Sequence, residues 1–189
     1  REGDLDEIAS LAREEKCVAV GEIGLDYHFP SNPPREWQRE MFVRQIALAE
    51  EAGLPVVVHS RDAAAETLEI LQGQKRAGRL SRGGLMHCYS CSAEMSGAFA
   101  ALGMYFSFGG TSTFKNAAKV QESVRAVLAD RILSETDSPY LTPVPKRGVF
   151  PNEPANVKFV VANLAALRNE KEEELEKRIL GNAKRLFFR

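Results

Sequence analysis

Four side chains of types that bind divalent metals follow short apolar runs in this sequence. Glu22 lies near the end of Cys-Val-Ala-Val-Gly-Glu, His59 ends Pro-Val-Val-Val-His, and His87 ends Gly-Leu-Met-His. Asp137 follows Arg-Ile-Leu-Ser-Glu-Thr. Two imidazoles with two carboxylates suit Zn²⁺, Mn²⁺ or Mg²⁺. Because such ions polarise a phosphoryl or carbonyl oxygen and lower the pKa of bound water, these residues predict a metal-dependent hydrolase.

Each of the four residues also has an ordinary structural interpretation. A single histidine after a buried strand is more often a satisfied structural group than a metal ligand. Glu22 could be an ion-pair partner, and Asp137 could cap the turn before Ser138 and Pro139. These separate interpretations do not explain why all four residues follow strand-like runs.

The elements that would position these residues are five apolar runs, separated by longer segments of helical character. Several runs are continuously apolar, as in strands buried on both faces of a parallel sheet. The alternation indicates βα units and an α/β fold of the TIM-barrel (β/α)8 type. In such a barrel the C-terminal ends of the strands form the active face, so the four side chains would converge. The predicted strands are 17–23, 55–59, 84–87, 104–108 and 131–134.

The helices are predicted from apolar positions at three- and four-residue steps. This spacing covers 34–52, and Gly53 ends that helix. Asp62 is a candidate N-cap for an Ala-rich helix that runs to position 71. Further helices are predicted at 93–102, at 116–129, after Pro154 and after Asn169.

Composition excludes several classes of protein. The chain has 189 residues, 44% hydrophobic and 27% charged, which is ordinary for one globular domain, so we expect 1–189 to form a single partial domain. The net charge of -1 gives no global attraction to nucleic acid or acidic membranes. Three cysteines, an odd number, fit a reducing compartment, so we expect a cytoplasmic protein. The apolar runs are too short to span a bilayer, so we expect no membrane contact, and no obligate protein partner is evident.

Two features near the candidate ligands are not assigned to the site. His28 lies in a polar, proline-containing loop, where a solvated surface residue is the better interpretation. Cys88 and Cys91 have the C-x-x-C spacing of zinc and redox motifs. Since the sequence contains no second such pair, we interpret them as loop cysteines.

Six motifs in unbroken order resemble the TatD family of metal-dependent deoxyribonucleases. The resemblance runs from about Gly21 to the C-terminus. It implies a TIM barrel with two divalent metals that hydrolyses phosphodiester bonds, typically removing nucleotides from DNA ends. The motifs are GEIGLDY (21–27), VHSRDA (58–63), HCYS (87–90), ETDSPYL (135–141), RG with NEPA (147–148 and 152–155) and NAKRLF (182–187).

The resemblance implies a role for each candidate residue. Glu22 would bridge two divalent ions, and Asp137 would bind the first ion and orient the attacking water. His59 and His87 would complete the second metal site. The expected reaction is two-metal hydrolysis of DNA, with the 3′ end as the expected point of attack and Glu22 and Asp137 as the catalytic residues.

Three further residues are candidates for substrate contacts. Arg61, Arg147 and Asn152 lie within the resembling motifs, and a guanidinium fork matches the oxygens of a phosphate. A surface ion pair explains each arginine equally well.

Two features depart from the family's pattern. The family begins with a His-x-His motif on its first strand, which supplies the remaining ligands of the first metal, and this sequence contains no His-x-His. We therefore expect a truncated chain that lacks about the first three βα units of the barrel. In the loop after Arg-Gly the family usually has a basic residue, where this chain has Val149, Phe150 and Pro151.

Two other functions stay open on the sequence. An amidohydrolase or lactonase, which attacks a carbonyl carbon, would use a similar metal face, because a fold does not decide the substrate. An inactive remnant that holds one ion through Glu22, His59 and His87 would follow from the missing His-x-His.

Overall fold

The computed structural model describes residues 2–188, and for residue 2 the backbone only. Over this range the chain forms seven α-helices and five β-strands, with short 3-10 turns at Gly110–Thr113, Ala129–Arg131 and Pro154–Asn156. The strands are β1 (Val20–Asp26), β2 (Val56–Arg61), β3 (Gly84–Met86), β4 (Met104–Phe108) and β5 (Ile132–Ser134). The helices are α1 (Glu2–Leu11), α2 (Arg35–Glu51), α3 (Ala64–Arg76), α4 (Ala93–Ala101), α5 (Ala118–Ala126), α6 (Val157–Arg168) and α7 (Glu172–Phe187).

Helix and strand alternate from α1 to β5, which confirms the predicted βα pattern. All five predicted strands are present, whereas α1 was not predicted. The predicted N-cap role of Asp62 is wrong, because α3 begins after Ala63 and Asp62 has a positive φ of 54°. The Asp62 carboxylate instead pairs with the ring of His28, with Oδ2 of Asp62 2.8 Å from Nδ1 of His28.

The described chain divides into two compact units. The first comprises 2–86, 101–104 and 186–188, and the second comprises 87–100 and 105–185. The single domain expected from composition stays a prediction.

In the first unit β1, β2 and β3 pair in parallel, in that order. Ile23 lies opposite Val58 in the β1–β2 register, and both side chains are buried. Helix α2 packs on β1 and α3 packs on β2, as expected when apolar helix faces cover a parallel sheet. The fully buried side chains of this unit include Leu25, Phe42, Ile46, Val58 and Leu71.

In the second unit β4 and β5 pair in parallel, with Phe106 opposite Ile132. Tyr89 meets Phe106 edge to face with ring centroids 5.0 Å apart, a favoured arrangement for buried aromatic rings. Helix α6 packs against α5 and β5. The fully buried side chains of this unit include Phe99, Phe106, Val124, Ile132, Leu164 and Leu175.

Candidate metal centre

In the first unit the predicted ligands Glu22 and His59 lie together on the neighbouring strands β1 and β2. Nδ1 of His59 is 2.6 Å from Oε1 of Glu22. Nε2 of the same ring is 3.5 Å from Oδ2 of Asp26. All three side chains are partly exposed, although Nε2 of His59 itself is buried. Each ring nitrogen therefore faces a carboxylate, the kind of donor set that divalent cations take.

Asp26 is a ligand-type residue that the sequence analysis did not identify. Its backbone N–H donates to the side-chain oxygen of Gln38 at 2.8 Å, and the Gln38 amide returns a hydrogen bond to the Asp26 carbonyl at 3.1 Å. Gln38 is nearly buried on α2, so this pair fixes the end of β1. The sequence signal that could have identified Asp26 is the two-residue period of a strand. Ile23 and Leu25 face the core, so Glu22 and Asp26 lie together on the other face.

Gly24 brings β1 into close approach with β2 beside His59. Its φ is +137°, and a Cβ atom at this position would lie 2.0 Å from the carbonyl oxygen of His59. No side chain fits at that distance, so the glycine between Glu22 and Asp26 is a geometric requirement. The GEIG motif thus determines how closely Glu22 approaches His59.

In the second unit His87 lies between two carboxylates. Nδ1 of His87 is 2.8 Å from Oε2 of Glu135, and Nε2 is 3.5 Å from Oδ1 of Asp137. The hydroxyl of Ser107 on β4 donates a short hydrogen bond to the same Glu135 oxygen. His87 and Glu135 are mostly buried, and Asp137 is more exposed. The buried carboxylate of Glu135 therefore orients the His87 ring, and the carboxylate of Asp137 is accessible to solvent.

Glu135 is a second functional residue that the sequence analysis missed. Its Oε1 atom is buried and forms no hydrogen bond with any residue in 2–188. A buried carboxylate oxygen without a donor fits a neighbouring cation, because burial of an uncompensated acceptor is costly. The signal was its place in Glu-Thr-Asp, two residues before Asp137.

Two cysteines follow His87 in the chain, Cys88 and Cys91, and the pKa of each thiol is raised. Burial raises the pKa of Cys88, and the carboxylates of Glu135 and Asp137 raise it further. Burial also raises the pKa of Cys91. Since only a thiolate acts as nucleophile or metal ligand, both residues fit the interpretation as loop cysteines.

Asn152 is buried beneath the loop that carries Asp137 and is only 3% exposed. Its side-chain nitrogen donates to the carbonyls of Thr136, at 2.9 Å, and Tyr140, at 2.7 Å. Its side-chain oxygen accepts two further hydrogen bonds from the following segment. Asp137 itself has a positive φ of 54°, a conformation that the surrounding contacts must stabilise. Asn152 therefore supports the loop around Asp137.

The two arginines predicted to contact substrate are both exposed and stack on aromatic rings. Cζ of Arg61 is 4.9 Å from the ring centroid of Phe29. Cζ of Arg147 is 4.0 Å from that of Phe114. A guanidinium stacked on a ring keeps its N–H edge available for a phosphate.

His28, which was left out of the site, is exposed and pairs with Asp62 at 2.8 Å.

The structure therefore brings Glu22 together with His59, and His87 together with Asp137. Glu22, His59 and His87 are candidate metal ligands. That all four residues serve one centre stays a prediction.

In the part of the chain from 2 to 188, no helix is both long and apolar enough to cross a membrane.

Comparison with known proteins gives concordant matches over nearly the whole chain. The family described as TatD related DNase matches residues 1–188. The uncharacterized metal-dependent hydrolase YabD of Bacillus subtilis is 46% identical over 98% of this chain and 71% of its own length. A Klebsiella pneumoniae relative named 3′-5′ ssDNA/RNA exonuclease TatD is 34% identical over 95% of this chain and 68% of its own length.

Solved structures confirm the predicted fold class. The crystal structure of the TatD homologue YJJV from Escherichia coli matches with a TM-score of 0.90 and 33% identity, over 99% of this chain and 71% of that one. A TatD family hydrolase from Entamoeba histolytica matches with a TM-score of 0.85 at 21% identity, over 100% of this chain and 69% of that one. The fold is therefore α/β of the TIM-barrel type.

Proposed function

The chain belongs to the TatD related DNase family, whose members are metal-dependent hydrolases, and on that premise we propose that it hydrolyses phosphodiester bonds in DNA. The observation that carries the proposal is the placement of each histidine between two carboxylates, His59 in the first unit and His87 in the second. The name of the Klebsiella pneumoniae relative supports a nucleic acid as substrate and the 3′ end as the point of attack.

We propose Glu22, His59, His87 and Asp137 as ligands of two divalent ions, Mg²⁺, Mn²⁺ or Zn²⁺. Such ions, when bound, polarise the phosphoryl oxygen and lower the pKa of water. The side chains fit this use. Nδ1 of His87 is held by Glu135, so Nε2, which faces Asp137, is the atom that would bind a metal.

The protein's own groups then have separate tasks. Asp137 holds and orients the attacking water at its exposed carboxylate and accepts its proton. Glu22 would hold the metal centre through its carboxylate oxygens. The exposed guanidinium groups of Arg61 and Arg147 bind phosphates of the strand, and Asn152 keeps the Asp137 loop in place.

The test is hydrolysis of end-labelled single-stranded DNA with Mg²⁺ or Mn²⁺, comparing the unaltered chain with Glu22→Ala. We expect a loss of about 100-fold or more, because even groups that only orient metal ligands account for about 10- to 100-fold. Glu36→Ala, an exposed carboxylate on α2, is the matched control and should be fully active. Labels at the 3′ and 5′ ends distinguish the direction of attack.

Two outcomes would contradict the proposal. Equal activity of Glu22→Ala and the unaltered chain would remove Glu22 from the centre. Turnover of lactones or carboxylic esters, with none of DNA, would assign the chain to carbonyl chemistry instead.

We also propose that the chain acts in a reducing compartment such as the cytoplasm, without a membrane or an obligate protein partner. Cys17, Cys88 and Cys91 are all free thiols. Thiols of this kind persist where disulfides do not form.

A further inference from the structure

Two large aromatic side chains project into solvent from the loop that follows Asp137. Tyr140 is 62% exposed and Phe150 is 71% exposed. Their ring centroids are 6.3 Å apart with planes tilted by 42°. Apolar rings displayed together on a surface, with a polar centre beside them, are typical of a binding site and do not contribute to a core.

The loop holds this aromatic pair in a fixed relation to Asp137. The backbone N–H of Tyr140 donates to the Asp137 carbonyl at 2.9 Å. On the other side, the Asn152 N–H donates to the Pro139 carbonyl at 2.8 Å, and the Thr142 hydroxyl donates to the Val149 carbonyl at 2.6 Å. Phe150 therefore lies between two anchored residues, Val149 and Asn152, and the pair is positioned by backbone hydrogen bonds and by the Thr142 hydroxyl.

Cationic groups on the same loop accompany the rings. Arg147 stacks on Phe114 at 4.0 Å, and Nζ of Lys146 is 5.8 Å from the ring centroid of Phe159. Both cations are exposed. Flat rings interleaved with cations are the chemistry that binds single-stranded nucleic acid, since rings stack on bases and cations attract phosphates.

We propose that Tyr140 and Phe150 form a stacking platform for an unpaired base of the substrate strand. The inference rests on the proposed function and names its substrate class, single-stranded DNA or RNA or a frayed end. A base within a duplex is already stacked on both faces, so the platform selects against paired ends.

The test compares binding of a fluorescent oligothymidylate with binding of an abasic strand of the same length. Both are measured in EDTA, so that hydrolysis does not consume the probe. Phe150→Ala and Tyr140→Ala should each weaken oligothymidylate binding about 5- to 150-fold, the range for loss of one base-aromatic stack. Binding of the abasic strand should not change.

Two further variants separate stacking from simple apolar contact. Phe150→Trp should keep the affinity for oligothymidylate, whereas Phe150→Leu should lose most of it. Val149→Ala is the control, because Val149 is exposed in the same loop and carries no ring. Thermal melting of every variant shows whether the fold is retained.

Several results would overturn the platform. Equal affinity of Phe150→Ala and the unaltered chain for oligothymidylate would do so, as would equal losses for both probes. A change of oligomeric state in Phe150→Ala without a change in affinity would assign the rings to a protein interface. If the unaltered chain and Phe150→Ala cleave DNA equally, only this inference fails. Failure of the unaltered chain to cleave any DNA removes the proposed function instead.

Discussion

At the scale of single residues, the orientation of His87 decides which of its ring nitrogens can bind a metal. Glu135 accepts from Nδ1, and Ser107 fixes the same carboxylate oxygen from β4. Nε2 is then directed toward Asp137. A carboxylate in this position holds the tautomer and raises the basicity of the metal-binding nitrogen.

Glu135→Gln is expected to weaken divalent-metal binding about 10- to 100-fold, because a neutral amide polarises the imidazole less than a carboxylate does. Calorimetric titration of the purified chain with Mn²⁺ measures the effect directly. Glu153→Gln, the same change at an exposed glutamate, serves as the control. An unchanged affinity in Glu135→Gln would mean that Glu135 has a purely structural role.

The sequence identified the histidines that follow strands, whose side chains are typical metal ligands. It did not identify the carboxylates that orient those histidines. His59 and His87 are conspicuous because histidine is rare in this chain. Asp26 and Glu135 are ordinary acidic residues with weak sequence signals, and the distances to the two imidazoles are what identify them. Asn152 was predicted to contact substrate, but its amide is buried in hydrogen bonds that no sequence pattern reveals.

At the scale of elements, hydrophobic pattern was sufficient to locate the strands and most helices. The exceptions have physical causes. Helix α1 is ten residues long, so its three-residue apolar steps give a weak signal. Asp62 precedes a helix as a cap would, but its positive φ turns the side chain toward His28. Strand ends and caps depend on such local backbone choices, which composition does not determine.

In the second unit a partly buried ionic network joins three helices. At the end of α6, Arg168 donates to the carbonyls of Val124 and Val127 at the end of α5. It also contacts Glu170 at 2.9 Å, and Arg178 of α7 donates to the other oxygen of Glu170. Burial raises the pKa of Glu170, but hydrogen bonds from the two arginines outweigh it, so the pKa lies below its ordinary value of 4.5.

Glu170→Gln is therefore expected to destabilise the fold at pH 7 by about 1.5–3 kcal/mol, the range for hydrogen bonds to charged groups. A depressed pKa means that this stabilisation is present above pH 4.5 and is lost as the pH falls below it. Urea unfolding at pH 7 and at acidic pH measures both effects. Glu173→Gln, exposed on α7, is the control. A difference between Glu170→Gln and the unaltered chain that persists undiminished in acid would contradict the ionic explanation.

At the scale of the whole molecule, metal binding should increase the free energy of unfolding and raise Tm. An ion that binds only the folded chain adds about 2.7 kcal/mol at 100 times its Kd. For a chain of this size, that raises Tm by about 5–10 °C. We expect Mn²⁺ to produce this rise in a thermal melt and EDTA to reverse it. His59→Ala and His87→Ala should each reduce the rise, and an undiminished rise in both would show that the ion binds elsewhere.

Asn152 holds its loop almost entirely through backbone atoms of its neighbours, the carbonyls of Thr136 and Tyr140 and the N–H of Glu153. The stretch 143–150 is held at its borders by Asn152 and by the Thr142 hydroxyl, which donates to the Val149 carbonyl, and within it Arg147 stacks on Phe114. We therefore expect that the stretch 143–150 can be exchanged as a block between related enzymes when Thr142, Asn152 and the partners Thr113 and Phe114 are kept. Such an exchange would transfer the Phe150 ring, and with it the proposed stacking contact, without a change of the proposed metal ligands.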